Sequence, residues 1–336
     1  MVHLRIVAPS HDAEHALDLL NATPSVCNLI HLERAAQKPE GDVILCDVAR
    51  EDASVIIGDL REFGIERSGS IAIEEIDSLI SDHAEAAEKA ARGFPSDAVV
   101  WEEVESRTSE NTELSGSFLI FMILACLLAG VAIILDSVIL LVGAMVTGPE
   151  FGPLAALCVA IVQRRRPLVK RSLMPLLIGF PLAAAATFLL ALAIDGTGLT
   201  PDGFSAGEHP NTLFISNPDA FSVIVAVLAG IVGVLSLTNA KSGALVGVLI
   251  SVATIPAAAN IGVAAAYGNG EEASGATEQL AVNLVAIVLA GIVTLYIQRR
   301  LYQRRRVAHL SAEAREVAGL PVGESRRAKR KQPSAP

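Results

Sequence analysis

Apolar positions in the first 77 residues recur with the spacings of strands and helices. Every second residue from Val2 to Ile6 is apolar, as in a half-buried strand. Residues 13–20 and 53–60 repeat apolar positions at helical spacing, and Gly64 follows the second run where a C-terminal cap belongs. Shorter apolar runs predict the other strands, at 26–32, 43–46 and 71–73. This order predicts an α+β, ferredoxin-like βαββαβ domain over residues 1–77. Such a domain binds a regulator, pairs with another copy, or serves only in docking and folding.

Residues 78–115 read as a helical connector. An Ala/Glu-rich stretch at 84–91 favours helix, and Gly-Phe-Pro at 93–95 breaks it. Val100, Trp101 and Val104 form a narrow apolar stripe on an otherwise acidic segment. Trp101 is the single tryptophan of the chain. It either anchors at a membrane interface or packs beneath the first domain.

The middle of the chain consists of long apolar runs. Each run is long enough to cross a bilayer as a helix, and together they predict a six-span α-helical membrane domain over residues 116–298. The runs lie at 116–135, 137–163, 172–194, 222–238, 242–267 and 279–298. Only 18% of the 336 residues are charged, against about 25% in an ordinary soluble domain. The chain is therefore predicted to be an integral membrane protein.

The distribution of charge predicts the orientation of the spans. Residues 1–115 are acidic, and residues 299–336 form a basic tail that we expect to be disordered. Residues 1–10 lack the long apolar run of a signal peptide, so both termini are placed in the cytoplasm. The connections then predicted to lie outside, 195–221 and 268–278, contain acids but no Lys or Arg. Basic residues in the inside connections agree with the positive-inside rule.

The second and fifth predicted spans resemble each other. Each has proline near its middle, followed by a polar residue and a glycine, and each begins a few residues after another apolar span. Three spans per unit place the second unit upside down relative to the first, which predicts a 3+3 inverted repeat with two interrupted helices. Transporters use such interruptions to coordinate a solute near the bilayer centre. Packing of small residues would also produce part of this pattern.

Glu150 is the only acidic or basic residue within a predicted span. A charge at that depth is costly, so it should face protein or water. It is either a cation or proton site or a cap on the half-helix after Pro149. Asn260 takes the corresponding place in the fifth span, as a neutral partner or as a hydrogen-bonding link between helices. The candidate transport or ion site comprises Gly148, Pro149, Glu150, Gly152, Pro153, Pro256 and Asn260.

One string in the second span resembles a known family. Gly143-Ala144-Met145 followed by Pro149-x-x-Gly152-Pro153, with Trp101-Glu102-Glu103 upstream, is similar to the prokaryotic membrane family called domain of unknown function 389. The resemblance covers nearly the whole chain up to the last span. It implies a multi-span inner-membrane protein with a cytoplasmic head, and it implies no activity.

The sequence lacks the residues that enzyme activity, cofactor binding or metal binding would require. The chain has no phosphate-binding Gly-Lys-Ser/Thr loop, no credible nucleophile–base pair near the membrane and no histidine in a span, so we expect neither an enzyme nor a cofactor or metal site. His11 and His15 share a helix face that suits a solvated surface better than a metal. Basic clusters are predicted to contact lipid headgroups rather than nucleic acid. Those lipid-contacting residues are Arg164, Arg165, Arg166, Arg304, Arg305 and Arg306.

Two functions follow from these patterns. The first is a transporter or channel for a small solute or ion in the plasma membrane of a prokaryote, with a regulatory or oligomerising head. The second is a membrane-anchored sensor or scaffold whose spans only assemble the heads. Gly243-x-x-x-Gly247 and the alanines at 183–186 predict a homo-oligomer. The acidic, Lys-poor composition is typical of a high-salt cytoplasm.

Overall fold

The structure is a computed structural model that describes residues 1–76, 78–91, 98–110, 112–201, 204, 209–238, 253–310 and 313–323. The chain divides into two compact units. Residues 1–104 and 298–336 form the first, here called the head unit, and residues 105–297 form the membrane unit.

The head unit contains a four-stranded antiparallel sheet. Its strands are β1 (Val2–Ala8), β2 (Val26–Gln37), β3 (Glu40–Val48) and β4 (Ser70–Glu75). The strand order is β2-β3-β1-β4, so β1 lies inside the sheet. Leu4 of β1 is opposite Cys46 of β3 and Ile73 of β4. The alternation of apolar residues predicted a half-buried strand here, and Val2, Leu4 and Ile6 are fully buried.

Helices of the head unit pack against its strands in separate clusters, since Ala84 and Ala87 lie with Cys27 of β2, apart from the core that contains Leu4. The helices are α1 (Ser10–Asn21), α2 (Arg50–Phe63), α3 (Ile65–Ser68), α4 (Asp82–Ala90) and α5 (Trp101–Glu110), of which α5 continues into the membrane unit. Apolar residues of α1 and α2 pack in one core with Val2, Leu4 and Ile6. Gly64 ends α2 with φ of 93°, as predicted for a left-handed cap.

Strands β2 and β3 are longer than their apolar runs predicted. Beyond Leu32, β2 continues through exposed, mainly polar residues to Gln37. Backbone pairing explains the extension, because Leu32 is opposite Val43 and Ala36 is opposite Gly41. A strand at the edge of a sheet can be held by its ladder with little side-chain burial, so no apolar pattern marks it.

The membrane unit is helical. Its helices are α6 (Gly116–Ile134), α7 (Val138–Thr147), α8 (Phe151–Val162), α9 (Arg166–Gly196), α10 (Ala220–Thr238), α11 (Thr254–Ala266) and α12 (Gly270–His309), whose residues from Gln298 onward belong to the head unit. Within the described residues, four helices are long and apolar enough to cross a membrane: α6, α9, α10 and α12. The 19 residues of α6 span about 28 Å, close to the thickness of a hydrocarbon core.

The described spans number four, or five if the bent pair α7–α8 is one span. The predicted fifth span at 242–267 is represented by α11, which is short and begins at Thr254. The part of that prediction at 242–252, with Gly243 and Gly247, lies outside the described residues. Ten of the 13 residues of α11 are buried, and α11 packs against α6, α7 and α9.

The first part of the basic tail is ordered, which corrects the prediction of disorder from residue 299. α12 continues to His309, and α13 (Glu313–Val317) follows. Ala314 and Ala318 join the core of the head unit, and Arg315 is fully buried against Asp59 and Glu62. A basic segment folds here because buried carboxylates on α2 neutralise it. Residues 324–336 lie outside the described residues.

Candidate functional site

The candidate site lies at the break between α7 and α8. α7 ends at Thr147 and α8 begins at Phe151, and the two helices are bent by 52°. Gly148, Pro149 and Glu150 form the break, where Pro149 cannot donate a helical hydrogen bond. Pro153 is the third residue of α8, where a missing N–H costs little. An uninterrupted helix is therefore replaced by two half-helices with free backbone groups at their ends.

Glu150 is buried in this break, with 4% of its surface exposed. Its Oε1 accepts a hydrogen bond from the Thr254 hydroxyl at 2.7 Å. Its Oε2 has no hydrogen-bond partner among the described residues. The side chain makes no capping hydrogen bond to α8.

Gly148 is required by the position of the Glu150 carboxylate. A Cβ at residue 148 would lie 2.3 Å from Glu150 Oε2 and 2.7 Å from Ile255 Cγ1. Any larger residue would force the side chains of Glu150 and Ile255 to shift. The break is thus shaped around the carboxylate and around the start of α11.

The first residues of α8 and α11 meet at Glu150. Glu150 directly precedes α8, and Thr254 is the first residue of α11. Pro256 is the third residue of α11, the same helical position that Pro153 has in α8. Helix N-termini favour negative charge, and the end of α7 supplies carbonyl oxygens nearby. Such a carboxylate, with one oxygen unpartnered, can hold a proton or a small cation.

Asn260 is not part of this contact. It lies six residues after Thr254 on α11, about 9 Å further along the helix axis. Asn260 is fully buried, and its Nδ2 donates to Glu272 Oε1 at 2.8 Å. Its Oδ1 has no partner among the described residues. The structure therefore joins Glu150 to Thr254 and Asn260 to Glu272, rather than Glu150 to Asn260.

Through Glu272, Asn260 is connected to residues that no sequence pattern marked as candidates. His209 is 1% exposed, and its Nε2 lies 2.6 Å from Glu272 Oε1. Its Nδ1 lies 2.8 Å from the Thr212 hydroxyl, which donates to Asp136 Oδ1 at 2.9 Å. His209 was assigned to a loop outside the spans, so its burial was not expected. The one available signal was its position as the only basic-type side chain in two connections that lack Lys and Arg.

Asp136, between α6 and α7, is the last residue in the series of hydrogen bonds that runs from Glu272 through His209 and Thr212. Burial raises the pKa of Asp136, but hydrogen bonds from Thr212 and Asn211 outweigh that effect and hold the pKa below its usual range. Both oxygens accept hydrogen bonds, since Asn211 Nδ2 donates to Oδ2 at 2.7 Å. The group is therefore ionised at neutral pH.

The predicted lipid-contacting arginines have different environments. Arg164, Arg165, Arg166 and Arg171 line an open cavity of about 540 Å³ together with Glu105. Arg165 pairs with Glu105 there. Arg306 instead lies in the head unit, where its guanidinium contacts Glu62 at 3.0 Å and the carbonyl of Val55 at 2.6 Å. Arg304 is exposed and Arg305 is half-buried.

Trp101 packs within the head unit rather than standing free. It is 7% exposed, its backbone N–H donates to Ser54 Oγ at 2.9 Å, and its ring lies 6.3 Å from that of Tyr302. This is the second of the two environments considered for it. Among the described residues, no three His, Cys, Asp or Glu side chains come together in a way that could hold a metal ion.

The segment that contains Glu150 is similar to a known protein family. The model of the family described as domain of unknown function, DUF389, matches residues 145–289. The resemblance to the DUF389 family is confirmed. The DUF389 match includes α8 and α11 but covers less than half of the chain, which is shorter than the resemblance predicted.

A distant relative agrees with this assignment. The chain is 29% identical over 195 residues to an uncharacterized protein of Methanocaldococcus jannaschii. That alignment covers 58% of this chain and 58% of the relative, so the chain spans little more than half the length of the relative it matches. No solved structure matches the chain.

Proposed function

We propose that this DUF389 protein is a membrane transporter or channel for a small solute or ion, with Glu150 in its pathway. The observation that carries the proposal is the buried Glu150 carboxylate at the ends of three helices, α7, α8 and α11, with one oxygen unpartnered among the described residues. A buried ionisable group in a membrane unit is retained against a substantial energetic cost. Interrupted helices at that depth are typical of solute and ion sites.

We further propose the finer architecture. Six spans in a 3+3 inverted repeat are supported by the matching positions of Pro153 and Pro256 in α8 and α11. A ferredoxin-like head is supported by the strand order β2-β3-β1-β4. The charge of the connections supports cytoplasmic termini in a prokaryotic plasma membrane. A reporter fused after Pro218 should then be external and one after Gly323 cytoplasmic, and finding both on the same side would reject six spans.

Ion and proton flux into vesicles that contain the purified protein tests the role of Glu150. Glu150→Gln keeps the size and hydrogen-bonding capacity of the side chain but removes its charge, so folding should survive while flux, or its dependence on pH, changes about tenfold or more. Glu278→Gln is the matched control, since it removes an exposed charge from α12 and should leave flux unchanged. Asn260→Ala should impair flux less than Glu150→Gln. If Glu150→Gln has the flux and pH profile of the unaltered protein, Glu150 is structural.

Access of water to the break separates transport from a scaffold role. Thr254→Cys and Thr187→Cys replace two threonines that are both fully buried, but only Thr254 contacts Glu150. A small water-soluble thiol reagent should label Thr254→Cys at least about tenfold faster than Thr187→Cys if the break opens to water. Equal, slow labelling at both positions would favour a membrane-anchored scaffold.

A further inference from the structure

The environment of His209 is built from four separate parts of the membrane unit. Glu272 comes from the start of α12, Asn260 from α11 and Asp136 from the turn after α6, while Thr212 lies in the same segment as His209. All except Asp136 have less than a tenth of their surface exposed. This contact set is separate from the Glu150–Thr254 pair.

Hydrogen-bond directions determine the protonation state of the His209 ring. The single proton of the Thr212 hydroxyl is donated to Asp136 Oδ1, because an ionised carboxylate can only accept. Thr212 Oγ1 must therefore accept a proton from His209 Nδ1. The depressed pKa of Asp136 agrees with an ionised carboxylate at this position.

The other ring nitrogen faces an acceptor as well. Glu272 Oε1 accepts from Asn260 Nδ2, and Glu272 Oε2 accepts from Asn269 Nδ2 at 3.2 Å. A carboxylate surrounded by amide donors is ionised, so His209 Nε2 must also donate to it. Both ring nitrogens then carry protons, and the ring is an imidazolium.

The charges around Glu272 agree with this assignment. Glu272 is 7% exposed, and a buried carboxylate requires a cationic partner or several donors. The connections 195–221 and 268–278 contain no Lys or Arg, so His209 is their only side chain able to supply positive charge. The titratable groups around His209 in the described residues are Glu272, Asp136 and, beyond the ring of Phe204, Tyr267.

We propose that His209, held between Glu272 and Thr212–Asp136, is a proton-binding site of the membrane unit that holds residues 209–216 against α11 and α12. Loss of the proton leaves one ring nitrogen facing an acceptor without a hydrogen between them. Either the contact to Glu272 breaks, and with it the link from this segment to Asn260, or the Thr212 hydroxyl turns to donate to Nδ1 and gives up its hydrogen bond to Asp136. The proton is thus the ligand, and the position of residues 209–216 is what it controls.

Ser216 provides a place to measure this movement. It is 6% exposed, and its carbonyl oxygen lies against Gly275, where a Cβ would approach to 2.1 Å. The segment therefore packs directly on the backbone of α12. Release of the segment would expose residue 216 to a thiol reagent, whereas the four native cysteines are buried.

The test compares labelling of Ser216→Cys with labelling of Ser274→Cys, which is exposed on α12, in the full protein in nanodiscs. The ratio of the two rates cancels the general effect of pH on thiol reactivity. Between about pH 5.5 and pH 8.5, across which histidine ordinarily loses its proton, we expect the ratio to rise about fivefold or more, the factor for loss of one hydrogen bond in a local opening. Adding His209→Gln should give the high ratio at every pH.

A second variant and a direct measurement of ring protonation distinguish a proton-binding role of His209 from a purely structural one. Glu272→Gln keeps hydrogen bonding but removes the negative charge, and it should also remove the pH dependence. The ¹⁵N resonances of the His209 ring, assigned by their loss in His209→Gln, should show two protonated nitrogens at about pH 6. A ratio that does not change with pH, a pH dependence that persists in His209→Gln, or a neutral ring at that pH would each overturn the proposal. None of these measurements depends on transport, so their failure is distinct from failure of the proposed function.

Discussion

The hydroxyl of Thr254 donates a hydrogen bond of 2.7 Å to Oε1 of Glu150, across 104 positions of the chain. The bond joins the break between α7 and α8 to the first residue of α11. It is the one hydrogen bond that satisfies the Glu150 side chain among the described residues, since Oε2 has none. Changes to either residue should therefore affect both the α7–α8 break and the start of α11.

Replacement of Thr254 by valine tests how much this hydrogen bond contributes to the free energy of unfolding. Thr254→Val keeps the shape of the side chain but leaves the carboxyl group of Glu150 without its donor, which should cost about 1–3 kcal/mol of unfolding free energy. Thr254→Ser retains the hydroxyl and should cost less. Thermal unfolding in nanodiscs measures both. Equal stabilities of the valine and serine variants would show that the bond contributes little.

Gly148→Ala should destabilise the membrane unit by about 1–3 kcal/mol, because the new Cβ overlaps Glu150 Oε2 and Ile255. Gly143→Ala is the matched control on α7, since a Cβ there meets nothing within 4 Å and alanine favours helix. Unfolding of the two variants is compared under identical conditions. The close packing at the break is contradicted if Gly148→Ala is as stable as Gly143→Ala.

The buried ion pairs of the ordered tail should stabilise the head unit. Arg315→Ala removes a fully buried guanidinium from Asp59 and Glu62 and should cost about 3 kcal/mol, because it leaves buried charge uncompensated. Fluorescence of Trp101, the single tryptophan, reports unfolding of this unit. Arg304→Ala removes an exposed arginine and should change stability by less than about 0.5 kcal/mol. Equal effects of the two substitutions would mean that the tail is not held by these pairs.

Asp42 should make the head unit sensitive to acid. The backbone N–H of Arg34 lowers the pKa of Asp42 most, burial acts against it, and hydrogen bonds from His31 and Ser10 lower it further. A carboxyl whose pKa is lower in the folded state stabilises that state above its unfolded pKa of about 3.9, and this contribution is lost as the pH falls through the folded value.

Trp101 fluorescence between about pH 2 and pH 6 measures the loss. Asp42→Asn should reduce the dependence of stability on pH in the acid range, and Ser10→Ala, which removes one of several donors, should reduce it less. An unchanged acid limb in Asp42→Asn would contradict the assignment to this group.

Much of the head could be predicted because its elements are local. The alternation around Leu4, the helical spacing of α1 and α2 and the cap at Gly64 each depend on residues within one or two turns of each other. The exposed end of β2 and the ordered α13 could not be predicted in this way. The first depends on pairing with β3, and the second depends on Asp59, which lies 256 positions from Arg315 along the chain.

The same division applies to the candidate site. Apolar length alone indicated the long helices. The rarity of charge within the predicted spans singled out Glu150, because lipid penalises any charge that protein or water does not solvate. The partners of the polar groups were decided only by tertiary structure. Glu150 binds Thr254, and Asn260 binds Glu272. His209 is buried against Glu272, although its segment has the sequence of a polar loop. Hydrogen bonds between distant segments leave no periodic signal in the sequence, since any donor can serve any acceptor that folding brings within about 3 Å.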